Sequence, residues 1–188
     1  MNSKKYQIIW DIDNTIFIDH ICSRRRLGEC TGVKRFIRLT NWNNLYLFLT
    51  GRPELLNNYT TFELATRLGI EDDQIIIYNA NMISGIFDGC IGYHWFTVND
   101  KCSNYYQICS DYSEYKFIYI GDSGKVDPEV IRRVGVEGYL RKLEGKDTDH
   151  CNGITLFDNY IELAKLFMEK GLIDQNDYYT LSQESDFK

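Results

Sequence analysis

The sequence predicts an α/β fold, a doubly wound and mostly parallel sheet with helices on both faces and no large cap domain. Short apolar runs of strand length recur along the chain, helical patterns separate them, and no linker or repeat divides the 188 residues. Runs that are apolar throughout, without alternation, suit strands buried on both faces, as in a parallel sheet. Strands alternating with helices then build a doubly wound core. A chain of this length buries about 70% of its unfolded surface as a single domain. With 44% hydrophobic residues, disorder of the whole chain is excluded.

Tyr6 to Trp10 reads as the first strand, and Val33 to Leu39 as a helix. Leu45 to Leu49 is the second strand; Pro53 then sits where a helix can start, and Glu54 to Leu68 runs helically to a stop at Gly69. Ile75 to Tyr78 is a third strand. Residues 80–98, with Gly85, Gly89 and Gly92 among aromatic and aliphatic residues, read as a hairpin or small excursion. Lys101 opens a helical stretch leading to the strand Phe117 to Ile120, and Pro128 starts another helix. Tyr139 to Leu140 and Ile154 to Phe157 are weaker strands. Asp158 to Lys170 is a helix with Ile161, Leu163, Ala164, Leu166 and Phe167 as its apolar positions, closed by Gly171. The polar tail, residues 174–188, is open to two readings, a frayed end or a short docked helix.

Composition narrows the class. No stretch approaches the ~20 apolar residues of a membrane span, and Met1 to Trp10 is too short and polar for a secretory signal. The expectation is a soluble, cytoplasmic protein. The six cysteines show no C-x-x-C and read as reduced thiols; with the three histidines equally scattered, a zinc site is not expected. Trp10, Phe17 and Trp95 read as packing residues. The net charge of −6 argues against a generic nucleic-acid coat.

In an open α/β sheet, function sits beyond the carboxyl ends of the strands. After the first strand come Asp11-Ile12-Asp13-Asn14-Thr15, after the second Thr50-Gly51-Arg52, and after the Phe117 strand Gly121-Asp122-Ser123-Gly124-Lys125-Val126-Asp127. Three strands thus deliver carboxylates and a hydroxyl to one edge. Hard carboxylate oxygens gathered there suit Mg2+, which shares a substrate phosphate. Thr50 can donate its hydroxyl to a phosphoryl oxygen beside the Gly51 amide at a helix start. Taken singly, each stretch also reads as a turn or a helix cap.

In combination and in order, these segments resemble the haloacid dehalogenase superfamily of phosphohydrolases, over about Tyr6 to Val134. The first motif, D-x-D-x-T, is matched by Asp11, Asp13 and Thr15, the second by Thr50, and the fourth by Gly121, Asp122 and Asp127. Lys101 and Lys116 compete for the lone lysine of the third motif, and Lys101 has the family's placement at a helix start. The resemblance implies Asp11 as nucleophile forming an aspartyl-phosphate and Asp13 as acid and then base. It implies Mg2+ held by Asp11, the Asp13 carbonyl and Asp122, with Asp127 orienting waters or Lys101. Thr50, Gly51 and Lys101, with Arg52 also expected at the substrate, would neutralise the phosphoryl group. An acid at position 13 suits phosphate ester hydrolysis.

The gaps between motifs hold no full cap, and in this superfamily an open site goes with large substrates. Within residues 16–40, expected to form a flap and helix, Arg24, Arg25, Arg26, Lys34, Arg35 and Arg38 stand against the single acid Glu29. Residues 24–38 are therefore +5, so the rest of a chain at −6 carries −11. This predicts attraction of a polyanionic or macromolecular phosphorylated substrate, set against a plain solvated helix face. Gly121 to Glu129 resembles the G-D-S-G-x-x-D-P-E signature of a phosphatidate phosphatase subgroup, whereas Thr50-Gly51-Arg52-Pro53 is closer to polynucleotide phosphatases. The reading is a magnesium-dependent phosphomonoesterase. Nucleic-acid end processing, phosphatidate hydrolysis and a noncatalytic binding module on the same fold stay open as alternatives.

Overall fold

Six strands form one all-parallel sheet: β1 (Lys5–Trp10), β2 (Tyr46–Pro53), β3 (Ile75–Ala80), β4 (Tyr115–Asp122), β5 (Glu137–Arg141) and β6 (Thr155–Phe157). Their order is β3-β2-β1-β4-β5-β6. The computed structural model describes residues 5–18, 29–80 and 93–183, with only the helical backbone of residues 93–96. Arg24, Arg25 and Arg26, the Gly-rich residues 81–92, the Trp95 side chain and the last five residues lie outside what is described.

Among the described residues, six α-helices connect and cover the strands: α1 (Val33–Leu39), α2 (Asn57–Leu68), α3 (Tyr93–Asp111), α4 (Val126–Val134), α5 (Tyr160–Glu169) and α6 (Gln175–Ser182). Because successive strand residues face opposite sides, the apolar runs split between two cores. Ile8, Trp10, Phe48, Ile118 and Ile120 join Val33, Phe36, Leu64, Leu68, Leu163, Phe167 and Leu181, so α1, α2, α5 and α6 cover one face. Ile9, Leu47, Leu49, Phe117, Tyr119 and Leu140 join Val98, Tyr105, Ile108, Val130 and Ile131, which places α3 and α4 on the other. Each fully buried aliphatic or aromatic side chain contributes about 1.5–3 kcal/mol. This is the doubly wound, Rossmann-like core that the strand pattern predicts.

Three boundaries differ from expectation for physical reasons. Residues 93–98, assigned to the excursion, are the first turns of α3. Preceding glycines and dense aromatics masked the helical period there. β2 and β4 run past their apolar segments, because Thr50 stays paired with Asn79, and Gly121 and Asp122 with Leu140 and Arg141. The tail begins as a docked helix: Asp174 caps α6 by accepting from the Asp177 amide, and Leu181 is buried. The four described cysteines form no disulfide. Among the described residues no helix is long and apolar enough to cross a membrane.

Candidate active site

The chain reverses strand order between β1 and β4, and the ends of these two adjacent strands carry the acids. The Asp11 amide donates to Ile120 O at 2.8 Å, which fixes Asp11 one residue beyond the last β1 pair. The loop then turns sharply through Asn14, whose φ is +61°, and the Ile16 amide donates back to Ile12 O at 2.9 Å. Asn is among the few residues that tolerate this left-handed conformation. Two outer residues brace the loop. Tyr160 OH donates to Thr15 O at 2.7 Å and Arg141 Nε to Asn14 O at 2.6 Å.

Lys101, on α3, occupies the centre. Its ammonium donates to Asp11 Oδ1 at 2.6 Å and to Asp127 Oδ1 at 2.7 Å, and lies 3.3 Å from the Tyr119 hydroxyl. Tyr119 OH in turn donates to Asp127 Oδ1 at 2.9 Å. Asp127, in the first turn of α4, accepts the Asp122 amide on its other oxygen at 2.9 Å. Asp122 Oδ1 accepts the Gly124 amide, closing the loop on itself. Thr15 Oγ1 donates to Asp11 Oδ2 at 3.0 Å. Lys116, the competing lysine, lies at the opposite edge of the sheet, where its Nζ is 3.2 Å from Tyr6 OH.

Carboxylate oxygens of Asp11, Asp122 and Asp127 lie within 4.8 Å of one another. Three carboxylates and one ammonium leave two negative charges in excess. Burial first, and then the Asp127 charge, push the Asp11 carboxyl well above its ordinary range; the same two causes push Asp122 up to about 6. Burial opposes the Lys101 charge, but Asp11 and Asp127 outweigh it and hold the ammonium well above its ordinary range. Burial and then Asp127 likewise push the Tyr119 phenol up. A hard, oxygen-only donor set short of two positive charges fits Mg2+.

Asp13 stands outside this cluster. Arg52 Nη2 donates to Asp13 Oδ1 at 2.6 Å and Arg52 Nε to Oδ2 at 2.9 Å, a bidentate pair. Arg52 Nη1 goes to Glu63 Oε2 at 2.8 Å, with Thr60 Oγ1 at 3.4 Å. Arg52 was expected to bind substrate. Instead its guanidinium is buried and taken up by these neighbours. Burial works against its charge, and Asp13 and Glu63 outweigh that. Thr50 is fully buried at the end of β2, where its Oγ1 accepts the Arg52 amide at 3.2 Å, and Gly51 follows half-buried.

The basic segment divides. Arg38 Nη2 donates to Leu68 O and Gly69 O, each at 2.9 Å, and the end of Lys34 lies beside Gly69. These two cations cap the carboxyl end of α2, where the helix dipole favours positive charge. Because α2 starts after Arg52 and runs away from the site, its carboxyl end is at the far edge of the sheet. Arg35 and Arg38 also line a cavity of about 420 Å³ with Asp177 and Leu181, on that same side. The expectation that the whole segment overhangs the site therefore fails for Lys34, Arg35 and Arg38.

Sequence reasoning missed several supports: Tyr119, Glu63, Arg141, Tyr160 and His150. His150 Nε2 lies 2.9 Å from Ser123 O and 3.2 Å from Gly124 O, bracing the Asp122 loop from the turn before β6. Of these, Tyr119 alone left a signal, a hydroxyl inside a buried apolar run. No family model matches this chain, and no curated protein matches it.

Proposed function

We propose that this chain is a magnesium-dependent phosphomonoester hydrolase working through an aspartyl-phosphate on Asp11. The observation that carries this reading is Lys101, held between Asp11 and Asp127 at adjoining strand ends beside Asp122. A buried lysine shared by two aspartates beside a third acid gains no stability over an apolar core. It is understandable where a nucleophilic carboxylate must meet a phosphoryl group without repulsion.

Asp11 and Asp122, with the Asp13 backbone carbonyl, would hold Mg2+, which supplies positive charge to the phosphoryl oxygens. The chain's own groups do the rest. The Lys101 ammonium neutralises Asp11 and approaching phosphate oxygens, and Asp127 and Tyr119 fix where that ammonium stands. An Asp11 oxygen forms a bond to phosphorus while the ester P–O bond breaks, and Asp13 passes a proton to the departing oxygen. Asp13, now a carboxylate, takes a proton from water as the water oxygen attacks phosphorus. The Asp11–phosphorus bond breaks, releasing phosphate. Thr50 and the Gly51 amide would hold the phosphoryl oxygens at the end of β2. A preference for large polyanionic substrates would draw on Arg24, Arg25 and Arg26 of the basic segment.

The test is phosphate release from a panel of phosphomonoesters, with Mg2+ and with chelator, by wild type and Asp11→Asn. Release is expected from wild type with Mg2+ only. Full activity in Asp11→Asn would refute the mechanism.

A further inference from the structure

Asp13 belongs to a closed ring of contacts, most of which the reaction above does not use. Arg52 grips both Asp13 oxygens and passes Nη1 to Glu63 Oε2 at 2.8 Å. Glu63 Oε1 lies 3.5 Å from Arg67 Nη1, and Arg67 Nε lies 2.9 Å from Glu29 Oε1. The Arg67 guanidinium stacks over the Phe17 ring, 4.6 Å from its centroid. Phe17 is bridged by backbone to both Glu29 and Asp13.

The geometry points to a positioning role for this ring: Glu29, Arg67, Glu63 and Arg52 fix the Asp13 carboxyl for proton transfer and so favour esters whose leaving groups must be protonated. The inference rests on the hydrolase reading. Its physical basis has three parts. Arg52 and Glu63 are only 3% and 5% exposed, and ion pairs so buried are a poor source of stability against apolar side chains of similar volume. The planar fork of Arg52 fixes the plane of the Asp13 carboxyl as well as its distance, which a lysine would not do. Finally, the carboxylate that Asp13 becomes on giving its proton to the leaving oxygen is the form whose two oxygens Arg52 pairs, so the guanidinium favours release of that proton. Arg67 and Glu29 act at one remove, holding Glu63 and the Phe17 end of the loop.

An alkoxide leaves poorly without a proton, whereas a nitrophenolate leaves without one. The test is therefore kcat and KM for glycerol phosphate and p-nitrophenyl phosphate, each with Mg2+, in wild type, Arg67→Met, Glu29→Gln and Arg52→Lys. Arg67→Met keeps apolar packing over Phe17 and removes the charge. The ratio of kcat on the alkyl ester to kcat on the aryl ester is expected to fall about a hundredfold in Arg52→Lys, the lower bound of what a general acid contributes, and roughly tenfold in Arg67→Met, a partial loss of that contribution. KM for the alkyl ester is expected to hold. Equal losses on both esters, or an unchanged ratio, would overturn the ring's role and leave the hydrolase reading standing. Wild type inactive on both esters would remove both. Glu29→Gln perturbs the outer end without removing a packed side chain, so if Arg67→Met melts early, the same fall in ratio is required of Glu29→Gln.

Discussion

Lys101 stands where two carboxylates would otherwise repel across a buried space, and its replacement separates charge from packing. Lys101→Met leaves Asp11 and Asp127 without their cation. Removing one partner of a buried ion pair costs about 3–5 kcal/mol. Denaturant melts in chelator are expected to show that loss, and phosphatase turnover is expected to fall at least ~100-fold. Asp122 gives a prediction in pH. Burial and Asp127 raise its carboxyl from 3.8 to about 6 in the folded chain. A raised value means that the folded state holds the proton more tightly, so the contribution is fully present below pH 3.8 and is lost as pH rises through about 6. In metal-free protein, Asp122→Asn is therefore expected to raise the melting temperature relative to wild type at neutral pH, with the gain vanishing near pH 4. A gain equal at both pH values would show that Asp122 is not held in this charge-starved setting.

At the scale of elements, the site depends on how closely β4 and the first turn of α4 approach. A Cβ at Gly121 would overlap the Asp127 carboxylate and the Tyr119 ring. Gly121→Ala is expected to destabilise the fold by about 1–3 kcal/mol, the usual effect of overpacking, measured by denaturant midpoint. It is also expected to weaken Mg2+ binding by displacing Asp127, measured by calorimetry. The elements that carry Asp11, Thr50 and Asp122 were legible because each strand is a continuous apolar run that ends in polar residues. The start of α3 was not, since Gly85, Gly89 and Gly92 and the aromatics after them carry turn signals. The supports were hidden for a different reason. Glu63 meets Arg52 from the next helix, and His150 meets Ser123 from the turn before β6, pairings that depend on packing and leave no spacing in the chain. Arg52 shows the limit most clearly. Next to Thr50 and Gly51 it reads as a substrate ligand, and only the fold reveals Asp13 and Glu63 as its partners.

For the whole molecule, the charge polarity read from the chain is real in sequence but is divided in space. Lys34 and Arg38 sit at the carboxyl end of α2, at the far edge from Asp11. Within the basic segment, Arg24, Arg25 and Arg26 are then the residues proposed to steer a polyanion. Replacing these three by alanine is expected to lower kcat/KM for a phosphorylated oligonucleotide roughly tenfold at low salt and to flatten its salt dependence. Replacing Lys34 and Arg35 is expected to leave the salt dependence unchanged. Steady-state rates over a salt series, with p-nitrophenyl phosphate as the small-monoester reference, provide the comparison.

In the proposed reaction, Asp11 takes the phosphoryl group. Quenching turnover with acid, reducing with borohydride and mapping peptides by mass spectrometry tests it most directly, because an aspartyl-phosphate is converted to homoserine at its own position. Homoserine is expected at position 11, formed only when substrate and Mg2+ are both present. Turnover with Asp11 unmodified, or with homoserine at position 13 instead, would contradict it.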